Sequence, residues 1–183
     1  RPDFVRGVQL LPRFGFSFDV CIQHRQLAAV IALARQCPDV RFVLDHLGKP
    51  GIRAGLLDPW RAELRMLAAL PNVWCKLSGL ATEADHAKWT PAHLRPYLEH
   101  ALACFGPDRL MFGGDWPVST LATDYPRWVA TVDEALALVA DLRPRQALLT
   151  HLDHDLDFAE LAARLPPGIS PAFDGLVVEV AAR

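Results

Sequence analysis

The chain repeats one pattern four times: a short apolar run rich in β-formers, a loop with polar residues, and an amphipathic helix. The runs are Phe16 to Ile22 (FSFDVCI), Arg41 to Leu47 (RFVLDHL), Val73 to Gly79 (VWCKLSG) and Arg109 to Asp115 (RLMFGGD). Such alternation leaves few solutions, because a helical crossover returns the chain to lay each strand parallel to the one before. Near-continuous apolarity in the runs suits parallel strands covered on both faces. The runs begin 25, 32 and 36 residues apart, which fits the units of a barrel or of an open doubly wound sheet. Neither GxGxxG nor a P-loop occurs to favour the nucleotide-binding version. In either architecture ligands meet the carboxyl ends of the strands. That rule singles out Gln23 and His24, Asp45 and His46, Lys76 and Ser78, and Asp115 and Trp116.

The helices carry the matching period. Leu27, Val30, Ile31 and Ala34 fall at i, i+3, i+4 and i+7, as do Leu94, Tyr97, Leu98 and Ala101, so each set forms one apolar stripe to lay on a sheet. Asp58 before Pro59 and Thr90 before Pro91 predict helix starts, with a side-chain acceptor at the N-cap and proline at the first helical position. Asp124 reads as the cap of a helix carrying Trp128, Val132, Leu136 and Val139. With 51% hydrophobic residues, 22% charged residues and a net charge of -2, the composition is that of a globular chain rather than a disordered one. No apolar run reaches the roughly 18 residues of a membrane helix, and the first residues lack the layout of a secretion signal. A cytoplasmic protein without a membrane partner is expected. The absence of any Lys/Arg cluster argues against a nucleic-acid partner held by phosphate contacts. Cys21, Cys75 and Cys104 have no CxxC spacing and read as free, buried thiols.

Four motifs carry candidate chemistry. In LDHLGKP, His46 ends a buried strand and is followed by Gly48 and Pro50, which turn the chain sharply. Its imidazole either binds a divalent metal or polarises a carbonyl, or it hydrogen-bonds a neighbouring carbonyl and finishes the strand. Asp45, one position earlier, is expected on the opposite face in a structural role. In FGGDWPV, two glycines permit close approach or positive φ and Pro117 stiffens the exit, so Asp115 is preorganised as a general base or metal ligand, or else caps a turn. Trp116 either walls a pocket or packs. Lys76, inside WCKLSGL, needs a carboxylate or a substrate oxygen unless it reaches the surface. His24 follows a strand and is a weaker ligand candidate, while His86, His93 and His100 read as solvated.

Taken together, FSFDVCIQHRQL, FVLDHLGKPG, VWCKLSGL and RLMFGGDWPVS resemble the amidohydrolase-related (amidohydrolase 2) family, in its branch of sugar-lactone and dicarboxylate lactonases. The likeness spans about residues 1–141. It implies the C-terminal half of a (β/α)8 TIM barrel, strands five to eight, with RPDFVRGVQLL as the helix before strand five. By motif, His46 matches the histidine that ends the sixth strand, and Asp115 matches the eighth-strand aspartate that activates water. A metal-binding histidine after the fifth strand maps ambiguously onto Gln23 and His24. The HxH pair expected after the first strand occurs nowhere in the 183 residues. A complete barrel takes about 250 residues, so the matched region supplies half a ring, with edges that another chain would have to complete.

Residues 142–183, containing QALLTHLDHDLDFAELAARLPPGISPAFDGLVVEV, resemble instead the C-terminal end of metallo-β-lactamase-fold phosphodiesterases, which implies a short α/β tail: a strand ending in Thr-His, a helix, and an Asp-Gly turn into a last strand. That likeness makes His151 the counterpart of a metal ligand, with His154 beside it, and places a fusion or truncation junction near residues 140–144. Three readings follow. The first is a metal-dependent or metal-assisted hydrolase that opens a lactone or amide ring by activated water. Zinc or manganese would be its cofactor, with a metal-independent variant open. Asp115 and His46 would be catalytic, Lys76, Trp116 and Gln23 would contact a lactone or carboxylate substrate, and His46, Asp115, His24 and His151 are the metal candidates. The second is a catalytically incomplete fragment or interaction module, and the third is a metallo-β-lactamase-type phosphodiesterase.

Overall fold

A computed structural model describes residues 1–115, 117–123, 147–150 and 169–171, with residue 112 and the last two segments described by their backbone alone. The helices are α1 (Pro2–Val8), α2 (Leu27–Gln36), α3 (Trp60–Ala68) and α4 (Pro91–Phe105). The strands are β1 (Phe18–Val20), β2 (Phe42–Leu44), β3 (Val73–Leu77), β4 (Leu110–Gly113), β5 (Ala147–Thr150) and β6 (Ile169–Pro171). They form one six-stranded sheet in the order β1-β2-β3-β4-β5-β6, with every neighbouring pair parallel. The parallel α/β architecture therefore agrees with the sequence pattern. Beyond the four strands of the barrel-like part, β5 ends at Thr150 in the expected α/β tail, and β5 and β6 continue the same sheet beyond β4 rather than forming a separate one.

The predicted strands are longer than the observed ones for a physical reason. Pairing stops at Leu44 because the backbone turns into the left-handed region at His46 (φ 54°) and Leu47 (φ 54°), which no strand can follow. Helices α2, α3 and α4 cover one face of the sheet, and α3 packs on both of the others. Phe42, Leu44, Val73, Cys75 and Leu77 are buried on that side. The predicted stripes do the packing: Leu27, Val30, Ile31, Ala34, Leu94, Tyr97 and Ala101 are buried, and Leu98 is partly so. Trp60 donates its indole N–H to the Leu47 carbonyl at 2.8 Å and stands 5.3 Å, centroid to centroid, from Tyr97. This contact clamps the β2 exit loop onto α3. The Asn72 amide donates to the carbonyls of Cys37 and Val40, both at 3.0 Å, and ties the end of α2 to β2.

Thr90 is the N-cap of α4 with Pro91 behind it, as its sequence predicts. His93 has a role the sequence reading missed, since the Thr90 backbone N–H donates to its Nδ1 at 3.0 Å. At α3 the start shifts, and Pro59 rather than Asp58 occupies the cap. Of the free cysteines among the described residues, Cys37 and Cys75 are buried and Cys104 is half-buried, but Cys21 is exposed. The expectation of burial fails at Cys21 because it leaves β1 on the face that no helix covers. The predicted Asp124 helix lies outside the described residues.

Candidate active site

Strand register decides which side chains share the uncovered face. Asp19 pairs with Val43, Trp74 with Val43, and Lys76 with Met111, so alternate residues beginning from these point the same way. Lys76 is the buried centre of this face: its Nζ lies 2.7 Å from Asp19 Oδ2 and 2.8 Å from Asp45 Oδ1. Burial works against the ammonium, but the hydrogen bond to Asp19 and the attraction of Asp45 outweigh it and hold the Lys76 pKa above the ordinary lysine value. The lysine thus has two carboxylate partners instead of reaching the surface. Asp45 corrects the expectation that it faces away. It is the first residue past β2 and continues the inward alternation, so it lands beside Lys76.

His46 reaches the same face because the chain does not stay extended. Its φ of 54° begins a left-handed turn that continues through Leu47 and Gly48 to Lys49. The ring then lies against β3, with Nδ1 2.9 Å from Ser78 Oγ. Gly79 makes room for it: a Cβ on that glycine would stand 2.6 Å from His46 Nδ1. On the other side, His46 Nε2 is 3.6 Å from Asp115 Oδ1, and both side chains are almost fully enclosed, 12% and 10% exposed. Asp115 also has positive φ, 57°. Among the described residues the non-glycine positions with positive φ are His46, Leu47, Lys49 and Asp115, all in the two loops that carry this pair. Strain of this kind costs of order 1–3 kcal/mol per residue and gathers where a function over-determines the backbone.

The remaining predicted residues fall around this pair. His24 Nδ1 is 2.9 Å from the Lys49 carbonyl oxygen, so it ties the loop after β1 to the loop after β2. Gln23 is exposed and its backbone N–H donates to Gln26 Oε1 at 3.1 Å. Trp116, His151 and His154 lie outside the described residues. His86 is exposed, with Nε2 2.9 Å from the Thr82 carbonyl oxygen, whereas His100 is half-buried against the Arg61 carbonyl oxygen at 2.8 Å and departs from the expectation of solvation. The sequence reading missed Glu83. Burial and the Asp115 charge raise its pKa, against the lowering pull of Lys49, His24 and His86. No strand end marks Glu83, and its place in the loop between β3 and α4 carries no local motif. Among the described residues, Cys21, Asp45 and His46 each bring one donor atom to within 4.8 Å of the others, which makes them the residues able to gather around a metal ion.

A family description, amidohydrolase, matches residues 1–165. The chain belongs to the amidohydrolase family. The match runs past residue 141, the expected limit of the barrel-like part, and into the segment with a different expected likeness. This amidohydrolase is 45% identical over 140 residues to an L-fucono-1,5-lactonase of Burkholderia multivorans, covering 72% of this chain and 47% of that one. It is 44% identical over 123 residues to an L-fucono-1,5-lactonase of Burkholderia ambifaria, covering 64% of this chain and 41% of that one. Among solved structures, an amidohydrolase from Burkholderia multivorans with bound zinc superimposes with a TM-score of 0.69 at 43% identity, covering 79% of this chain and 51% of that one. The chain spans about half the length of the relatives it matches. No helix among the described residues is long and apolar enough to cross a membrane.

Proposed function

We propose that this amidohydrolase supplies the C-terminal half of the ring of a cytoplasmic lactone hydrolase, with β1 to β4 as strands five to eight of a (β/α)8 barrel. The observation that carries the reading is the convergence of His46 and Asp115, each held in strained backbone, on the carboxyl ends of parallel strands. A water molecule within hydrogen-bond reach of both groups fits the 3.6 Å that separates them. Asp115 takes its proton as the water attacks the lactone carbonyl, and the proton passes to the ring oxygen as the C–O bond opens. Ser78 fixes the ring plane of His46. With its Nδ1–H donated to Ser78, the imidazole keeps Nε2 as the basic nitrogen towards the reaction.

A divalent ion such as zinc or manganese, held at His46, would polarise the carbonyl and acidify the water. Asp115 and His24 are its further proposed ligands from the motif likeness, with His151 a fourth. Gln23 and Trp116 are proposed substrate contacts from the motif likeness. Lys76 acts through the carboxylates it pairs, setting the charge of the pocket floor. The substrate class, a small sugar lactone, is supported by the names of the lactonase relatives. The division of the chain into residues 1–141 and a tail of 142–183 rests on motif likeness, while β5 and β6 extend the sheet across that boundary.

A panel of aldonolactones, assayed by acid release with and without added zinc or manganese, tests the reading. Asp115→Asn should cost on the order of 10²–10⁴ in kcat, the usual worth of a positioned base. Turnover that survives this substitution overturns the mechanism.

A second reading has its own observation. Strand β1 pairs only with β2 among the described residues, and the inner face beside it exposes Asp19 and Cys21. Another chain seated there would complete the ring, in which case the lactonase assay responds to added partner and not to this chain alone.

A further inference from the structure

The inner face carries a thiol that the proposed hydrolysis does not use. Cys21 follows the last residue of β1, and the pairing of Val20 with Leu44 sets it beside Asp45. One donor atom each from Cys21, Asp45 and His46 lies within 4.8 Å of the others. Asp45 Oδ1 is buried and accepts no aligned hydrogen bond, although Lys76 Nζ stands 2.8 Å away. Asp19 and Asp45 both pair with the one Lys76 ammonium, and Asp115 stands 3.6 Å from His46 Nε2, so the carboxylates named here outnumber that ammonium, a charge balance that favours a dication.

We propose that Cys21 is a thiolate ligand of a divalent ion, completing a sulfur, oxygen and nitrogen set with Asp45 and His46. The inference rests on the lactonase reading but replaces the further ligands that motif likeness suggests: Cys21 and Asp45 join His46 around the ion, and Asp115 stays outside them as the base. Donors held at about 2.0–2.3 Å by a tetrahedral ion stand roughly 3.5 Å apart, so the three must close slightly. Cys21, exposed at the start of a loop, is the one with freedom to move. Three protein ligands leave the fourth position for water or substrate, the pattern of a catalytic rather than a structural ion. Thiolate is soft, so the set selects zinc over manganese, and binding releases the Cys21 proton.

The test loads the 183-residue chain with cobalt(II) alone. Thiolate ligation gives an intense near-ultraviolet sulfur-to-cobalt charge-transfer band. The band should vanish in Cys21→Ser and persist in Cys104→Ser. Zinc affinity, read by competition with a chromophoric chelator, should fall in Cys21→Ser by more than the roughly 10–100-fold that losing an outer-shell partner costs. In the unsubstituted chain, zinc should slow alkylation of Cys21 by iodoacetamide, read by mass spectrometry, which tests the ligand without any folding question. A cobalt complex with no such band, or a band indifferent to Cys21→Ser, overturns the proposal. These measurements contain no lactone, so the band can stand where hydrolysis fails. Metal-dependent turnover without the band sinks the thiolate ligand and leaves the hydrolase reading intact.

Discussion

A Cβ on Gly79 would lie 2.6 Å from His46 Nδ1 and 2.7 Å from Cγ, and the residue's φ of 64° is one that side chains rarely adopt. Gly79→Ala therefore strains the backbone by about 1 kcal/mol and also displaces the imidazole from Ser78. We expect turnover and zinc affinity to fall about tenfold or more, as when a ligand's supporting partner is lost, while the melting temperature drops only a few degrees. Equal loss of melting temperature and turnover would show that Gly79 serves the fold and not the ring. At this scale His46 and Asp115 were visible in the sequence, because glycine and proline around them announce unusual backbone. Asp45 was not. Its assignment to the far face assumed that the strand ran on through His46, and only the left-handed turn at 46–47 brings both neighbours to one side. Lys76 was recognised as costly in a strand, but its two carboxylate partners come from 57 and 31 positions away in the chain, and no local pattern reports such a distance.

Elements were more legible than boundaries. The stripe of Leu27, Val30, Ile31 and Ala34 is buried as its period requires, and Thr90–Pro91 starts α4, since both signals are local. The joint between α3 and α4 was hidden because His100 sits four residues from Cys104 and packs on Trp60, 5.4 Å between ring centroids. Burial lowers the His100 pKa below 6.5, with the Arg65 and Arg61 charges adding to this and the Arg61 carbonyl and Asp58 opposing it. The unfolded chain therefore binds that proton more readily than the folded one. The stability His100 contributes is present above pH 6.5 and is lost as the pH falls through the folded value. His100→Gln keeps an N–H for the Arg61 carbonyl and removes the titration. Urea midpoints measured from pH 7.5 down to 5 should fall less steeply in this variant than in the unsubstituted chain, and parallel slopes would exclude His100 as a source of acid sensitivity.

Among the described residues the largest unit is a six-stranded parallel sheet with helices on one face and the His46–Asp115 pair on the other, and one of its edges is β1. An edge strand presents unpaired N–H and C=O groups and invites another strand. Here the edge has apolar company: Phe4, Phe14 and Phe16 are 53%, 69% and 61% exposed, and a groove of about 510 Å³ runs between α1, β1 and α2. Phe4, Phe18, Val20, Ile22 and Leu33 line that groove, and Asp19 and Cys21 connect it to the inner face. The charges that would blunt such an edge are sparse, because Asp19 is engaged by Lys76. Association through β1 is therefore the expected behaviour at high concentration. Light scattering should show the mean mass rising with protein concentration, and the double substitution Phe14→Lys with Phe16→Lys should return it towards the 20.3 kDa of one chain. These positions lie outside the strand and away from His46 and Asp115, so zinc binding should persist in the variant. A mass that stays at one chain over the whole range would mean that the edge is already covered, and a mass unaffected by the two lysines would move the contact elsewhere.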